Sequence, residues 1–80
     1  MKYYTSTPTD RELQVLGLIA CGHTYKAAGN ALGLSEQTIK NHMSTVLRRL
    51  SVPTGTAAIV LSLQRGLLDI SELDVLVYGR

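Results

Sequence analysis

The sequence contains no tryptophan and no phenylalanine, and its only aromatic side chains are four tyrosines. A core built from it must therefore be aliphatic, filled by Leu, Ile, Val and Ala. One cysteine, Cys21, excludes an internal disulfide framework and fits a reducing compartment. Two prolines and seven glycines in 80 residues leave no Pro/Gly-rich linker, and no repeat or low-complexity tract is visible. The N-terminal stretch MKYYTSTPTD lacks the apolar segment of a signal peptide. The longest apolar runs, near Val15–Cys21 and Ala57–Leu61, are too short to cross a bilayer, so no membrane role is expected and a cytoplasmic location is. One small domain is the expectation, near the lower size limit at which a hydrophobic core suffices.

What is present is unevenly distributed. The net charge is only +2. Between Thr24 and Leu50, however, four cations (Lys26, Lys40, Arg48 and Arg49) face one acid, Glu36. From Gly66 onward three acids, Asp69, Glu72 and Asp74, face one cation, Arg80. A polyanion would be drawn to the middle of the chain and not to its end.

Helix signals follow one another closely. Residues 1–8 read as a short arm ended by Pro8. Thr9 and Glu12 have the spacing of a capping box, so a first helix is predicted from there to about Cys21. It is expected to bury Leu13, Leu16 and Ile19 or Ala20, and to stop at Gly22. Thr24 can cap a second helix through Leu32, with a turn at Gly33. Ser35 can cap a third, with Thr38 as its third residue. After Pro53 a fourth helix is predicted from about Thr56 to Arg65, ended by Gly66. Ser71 and Asp74 give a weak signal for a short fifth, although DVLVY can equally be extended. The fold class is all-α, with residues 9–68 as the domain and 69–80 as an acidic, apolar tail.

The spacing of Gly29, Gly33 and Ile39 is the informative feature. In a helix-turn-helix the first position is small because two helices nearly touch there. The second takes a left-handed turn, which glycine adopts without steric cost. The third plugs the base of the second helix into the core, leaving its other side protruding. On the segment LSEQTIKNHMSTVLRRL, residues 34–50, Ile39, Met43, Val46 and Leu50 mark the core side. Gln37, Lys40, Asn41, Ser44 and Arg48 fall opposite.

The run TDRELQVLGLIACGHTYKAAGNALGLSEQTIKNHMSTVLRRLSV resembles the LuxR/GerE-type helix-turn-helix domain of bacterial transcription regulators. The likeness rests on Arg11–Glu12, Val15–Leu16, Ile19–Ala20, Gly22, Lys26, Leu32, Leu34–Ser35, Thr38–Ile39–Lys40, His42, Leu50 and Val52, extends into helix four through Thr56, Ala58 and RGLL at 65–68, and covers about residues 8–68. The chain departs from the usual pattern at Ala27, Ala28 and Gly29, where Glu, a β-branched residue and Ala are common, and at Gly55 and Ala57, where Arg and Glu are.

The resemblance implies a sequence-specific transcription regulator that binds near-palindromic double-stranded DNA as a homodimer. It implies Lys40, Asn41 and Ser44 as groove-facing residues, with Gln37 at the edge. Lys40 can donate to guanine, and either Asn41 or Gln37 can pair bidentately with adenine. Thr24, Tyr25 and Lys26 at the start of helix two, with Thr38 and Arg48, become candidates for phosphate contact. Arg49 is left between phosphate contact and solvation of the helix end. On helix four, Ala58, Ile59, Ser62 and Leu63 fit a face turned inward. Ala57, Val60, Leu61 and Gln64 form the other face, too apolar for solvent, and are the expected dimerisation residues. Family members usually carry a sensing or phosphoacceptor domain ahead of this one, so the chain reads as a stand-alone regulator or an excised domain.

Other chemistries find little support. Cys21 and His23 have only C-x-H spacing and no distant partners, so no metal site is expected. The glycines at 22, 29 and 33 follow no strand and precede no G-K-[ST], so they form no phosphate loop. No nucleophile, base and orienting acid can be assembled, and neither an enzyme nor a cofactor is expected. The alternative is a module that binds protein, sequestering another regulator through helix four; RNA polymerase is a further conceivable protein partner. A promoter-contacting domain like region four of sigma factors is disfavoured by the Lys40-x-His42 run and the fourth helix.

Overall fold

The computed structural model describes residues 6–69 and 71. They form four helices: α1 (Asp10–Ala20), α2 (Tyr25–Leu32), α3 (Glu36–Leu50) and α4 (Gly55–Gln64). No strand occurs among the described residues, so the all-α class holds. Predicted boundaries agree to within a residue or so; α4 begins at Gly55, one residue before the expected Thr56. Of the expected fifth helix only Ser71 falls among the described residues.

Each helix starts on a hydroxyl cap. Thr9 Oγ1 accepts the Glu12 amide at 3.1 Å while Glu12 Oε1 accepts the Thr9 amide at 2.9 Å, closing the capping box. Thr24, Ser35 and Thr54 accept from the amides of Ala27, Thr38 and Ala57 at 3.0, 3.0 and 3.1 Å. These bonds satisfy amides that have no partner within the helix, which is why four short helices can begin sharply. The ends are equally defined: Gly22 and Gly66 take positive φ at the points predicted to stop α1 and α4. Ser51 takes the same left-handed conformation at the end of α3, with the Val52 amide bonded back to the Leu47 carbonyl at 3.0 Å.

Helix α3 packs against all three others, and the core lies where they meet. Its inward side is the one predicted: Ile39 and Val46 are fully buried, and Met43 and Leu50 nearly so. Burying one such aliphatic side chain stabilises by about 1.5–3 kcal/mol before chain entropy is counted. Helix α1 differs from expectation. Val15, Leu16 and Leu18 are its buried apolar residues, whereas Leu13, Ile19 and Ala20 are only half-buried. The physical reason is that α1 contacts α2, α3 and α4, so its buried arc is wider than one stripe.

Two further contacts tie the arm and α1 to the end of α3. Glu12 is 6 % exposed, and its Oε1 lies 3.0 Å from Arg49 Nε. That contact is an ion pair lacking the alignment of a directed hydrogen bond. Arg49 Nη1 also donates to Ser6 Oγ at 3.2 Å, and the Ser6 amide to the Arg49 carbonyl at 3.1 Å. Pro8 is buried and Ser6 half-buried, so the end of the arm is held against the helices at these two residues, while Thr7 between them is exposed. No single helix among the described residues is long and apolar enough to cross a membrane.

Candidate nucleic-acid interface

The turn between α2 and α3 determines how α3 is presented. A Cβ placed on Gly29 would lie 2.5 Å from the Leu34 carbonyl oxygen, which no side chain tolerates without moving backbone. The Leu34 amide reaches back to the Gly29 carbonyl at 2.8 Å. Gly33 supplies the left-handed residue, with φ 70° and ψ 30°. Ile39 is fully buried. All three positions singled out by spacing therefore play their expected parts, and the first does so most strictly.

With its inner side sealed, α3 exposes Gln37, Lys40, Asn41, Ser44 and Arg48, together with Glu36 in its first turn. Every one is polar or charged. Gln37 Nε2 donates to Asn41 Oδ1 at 3.1 Å, one helical turn on, so these two amides form a linked pair. Thr45 Oγ1 donates to the Asn41 carbonyl at 3.0 Å and is thereby turned back on the helix.

The expected phosphate contacts divide into two groups. Thr24 and Lys26 are exposed at the start of α2. Thr24 uses its oxygen as the helix cap, which leaves the hydroxyl proton to donate. Arg48 is exposed at the last turn of α3. Tyr25 is half-buried, with its ring against the core, and Thr38 is half-buried, with its hydroxyl 2.9 Å from Ser35 Oγ. Arg49 is committed to Glu12 and Ser6, which takes it off the list of cations facing outward. The basic character of this segment's surface thus rests on Lys26, Lys40 and Arg48 against Glu36.

The Glu12–Arg49 pair has no local signature in the sequence. The T-x-x-E spacing marks Glu12 only as half of a capping box, and nothing nearby indicates that its carboxylate is buried and needs a cation. Only the packing of α1 on α3 brings a residue 37 positions away beside it.

On α4 the inward face is led by Ala58 and Ser62, both fully buried, with Ile59 and Leu63 half-buried. Of the residues expected to face away, Val60 is 49 % exposed and Gln64 is exposed, while Ala57 is half-buried. Leu61 corrects the expectation in part: it is half-buried and packs on the core. A helix of ten residues with small inward positions settles deeply, so the flanks of its inner face reach the core as well.

His23 Nδ1 lies 3.1 Å from the Leu18 carbonyl, which holds the ring in the α1–α2 turn. Burial pushes the Cys21 thiol up, disfavouring the thiolate. Among the described residues no group of three His, Cys, Asp or Glu side chains is arranged to hold a metal.

A family description matches this arrangement: "Bacterial regulatory proteins, luxR family" fits residues 7–62, from the end of the arm into α4. The chain belongs to the luxR family. That is a family of regulatory proteins and not of enzymes. Among curated relatives, the transcriptional regulatory protein DegU of Brevibacillus brevis is 41 % identical over 58 residues, covering 72 % of this chain and 25 % of its own length. The nitrate/nitrite response regulator protein NarP of Escherichia coli (strain K12) is 43 % identical over 60 residues, covering 75 % and 28 %. The transcriptional activator protein CarR of Pectobacterium carotovorum subsp. carotovorum is 40 % identical over 57 residues, covering 71 % and 23 %. This luxR-family chain thus spans about a quarter of the length of these relatives.

Proposed function

We propose that the chain is a cytoplasmic, DNA-binding transcription regulator that inserts α3 into the major groove. The observation that carries this reading is the outward side of α3, where Gln37, Lys40, Asn41, Ser44 and Arg48 are all exposed on a helix whose other side is sealed. Family membership and relatives named as transcriptional regulators support it. Lys40 and its polar neighbours face base edges, while Thr24, Lys26 and Arg48 hold phosphates. Tyr25 and Thr38 act at the phosphates through whatever their packing leaves outward, Thr38 as part of the Ser35 hydroxyl pair.

Val60, exposed and apolar on α4, supports a homodimer joined through that helix, with Ala57, Leu61 and Gln64 around it. Two copies of α3 then lie about one DNA turn, roughly 34 Å, apart on a near-palindromic site.

The experiment is DNA affinity against salt, for the unaltered chain and two variants. Binding should weaken linearly in log–log terms, with a slope near −0.9 per phosphate contacted. Lys40→Ala should lose about 1–3 kcal/mol of discrimination between sites, while Lys26→Ala should weaken all sequences alike and flatten the slope. Identical behaviour of the two variants would contradict the division between reading and positioning. Absence of DNA binding even at low salt would favour the second reading, a module that captures another regulator through the apolar surface around Val60.

A further inference from the structure

A cleft of about 280 Å³ lies between the end of the arm and the exit from α4, lined by Ser6, Thr7, Leu50, Arg65 and Leu67. None of these residues belongs to the proposed DNA-facing or dimer-forming sets. The walls are held by hydrogen bonds of the fold itself. On one side the Ser6 amide donates to the Arg49 carbonyl at 3.1 Å, and Arg49 Nη1 donates to Ser6 Oγ at 3.2 Å. On the other, Gly66 takes φ 74° and turns the chain back, so that the Leu67 and Leu68 amides both donate to the Ser62 carbonyl, at 2.8 and 3.2 Å. Leu50, almost fully buried, and Leu67, half-buried, supply the apolar part of the lining. Apolar walls already in place, with a few converging polar groups, are what a small-molecule site requires. Sites for drug-sized ligands run from roughly 300 Å³ upward, so this one suits a smaller molecule.

The polar groups of the cleft are all able to donate. Ser6 Oγ accepts from Arg49 and keeps its hydroxyl proton to give. Thr7 is exposed, and its hydroxyl makes no bond among the described residues. Arg65 is exposed and caps α4 through its backbone amide, while no carboxylate among the described residues pairs with its guanidinium. A planar guanidinium beside two hydroxyl donors matches a carboxylate, whose two oxygens accept together. The leucines next to it match hydrocarbon and disfavour a second charge, which tells against phosphate or a dicarboxylate. We infer that this cleft binds a small monocarboxylate with a short hydrocarbon tail, the carboxylate held by Arg65, Ser6 and Thr7 and the tail lying against Leu50 and Leu67. Such binding needs neither DNA on α3 nor a second copy on α4.

Hexanoate is the probe, titrated at constant ionic strength and neutral pH into the isotope-labelled whole chain. Hexanol, which keeps the tail, and inorganic phosphate, which keeps the charge, are titrated in parallel. The amide signals of Ser6, Thr7 and Leu67 should move saturably with hexanoate, at a roughly millimolar dissociation constant for so small a ligand. Hexanol and phosphate should each bind roughly tenfold more weakly, having lost one half of the match. Arg65→Gln, at an exposed position, should weaken hexanoate binding roughly tenfold. Arg65→Lys keeps the charge without the planar fork and should fall between the two. Thr7→Val, also exposed, should weaken binding about threefold. Amides that do not respond to hexanoate overturn the inference. So does an equal response to phosphate, which marks a plain anion contact, or to hexanol, which marks an unselective apolar patch. Undiminished affinity in Arg65→Gln overturns the placing of the carboxylate and the inference with it.

Discussion

Helices α3 and α4 both send one side into the same core, and their other sides could hardly differ more. The outward side of α3 carries amides, a hydroxyl and cations, whereas that of α4 exposes Val60 between Thr56 and Gln64, with Ala57 and Leu61 half-buried beside it. A fold needs neither choice: any soluble polar set would do on α3, and an apolar side chain left in water on α4 contributes nothing to folding. The difference teaches where the proposed partners are to be sought on the surface. A polar, cationic side complements a polyanion, and an apolar one complements protein.

The contrast is sharpest at two adjacent residues. Arg48 is exposed on the outer side of α3, while Arg49, one residue on, is turned inward to Glu12 and Ser6. Arg49→Ala should destabilise the domain by about 2–3 kcal/mol, because it leaves the buried Glu12 carboxylate without its cation. The effect is read as a lowered thermal midpoint, of about 4–8 °C per kcal/mol for a domain this size. Binding per folded molecule should keep its salt slope. Arg48→Ala should do the reverse, leaving the midpoint in place and reducing the slope by about one. If both variants changed only the slope, the inward assignment of Arg49 would be wrong.

On α4 the corresponding probe is Val60 and not Leu61. Leu61 packs on the core, so a charge there would confound dimerisation with folding. Val60→Glu should weaken self-association at least tenfold, about 1.4 kcal/mol, while moving the thermal midpoint of the dilute chain little. Sedimentation profiles that coincide for Val60→Glu and the unaltered chain would show that α4 does not join two copies.

Much of this was legible in the sequence because its signals are local. Thr9, Thr24 and Ser35 sit where caps must sit, and Gly29, Gly33 and Ile39 are spaced as a helix-turn-helix requires. The period of Ile39, Met43, Val46 and Leu50 marked the inner side of α3 and, by subtraction, the outer one. The misses all depend on tertiary contact. Val15 and Leu18 are buried because α1 has three neighbours, and Leu61 is half-buried because α4 settles against the core. The pairing of Glu12 with Arg49 spans the whole helix-turn-helix. The Gln37–Asn41 bond has the one-turn spacing that allows it, but the same spacing is found in many pairs that never meet.

The smallest effect expected lies at the far end of the described chain, away from either face. Asp69 Oδ1 accepts the Ser71 amide at 2.8 Å and the Ser71 hydroxyl at 2.6 Å. Those bonds, the side-chain one first, favour the carboxylate and lower the Asp69 pKa below the ordinary aspartate value. Because the folded value is the lower one, the bonds help hold the turn above the ordinary aspartate value and are lost as pH falls through the lowered one. Asp69 is fully exposed, so solvent screens the interaction and the global midpoint should barely register it. The Ser71 amide proton should register it instead, its chemical shift following the carboxylate with a midpoint below that of an unstructured aspartate. Asp69→Asn should abolish that titration while leaving DNA affinity and self-association where they were. This follows if the acidic end of the chain acts apart from both α3 and α4. Parallel loss of DNA binding in Asp69→Asn would instead couple it to the reading helix, and the division between the two outward faces would need a third member.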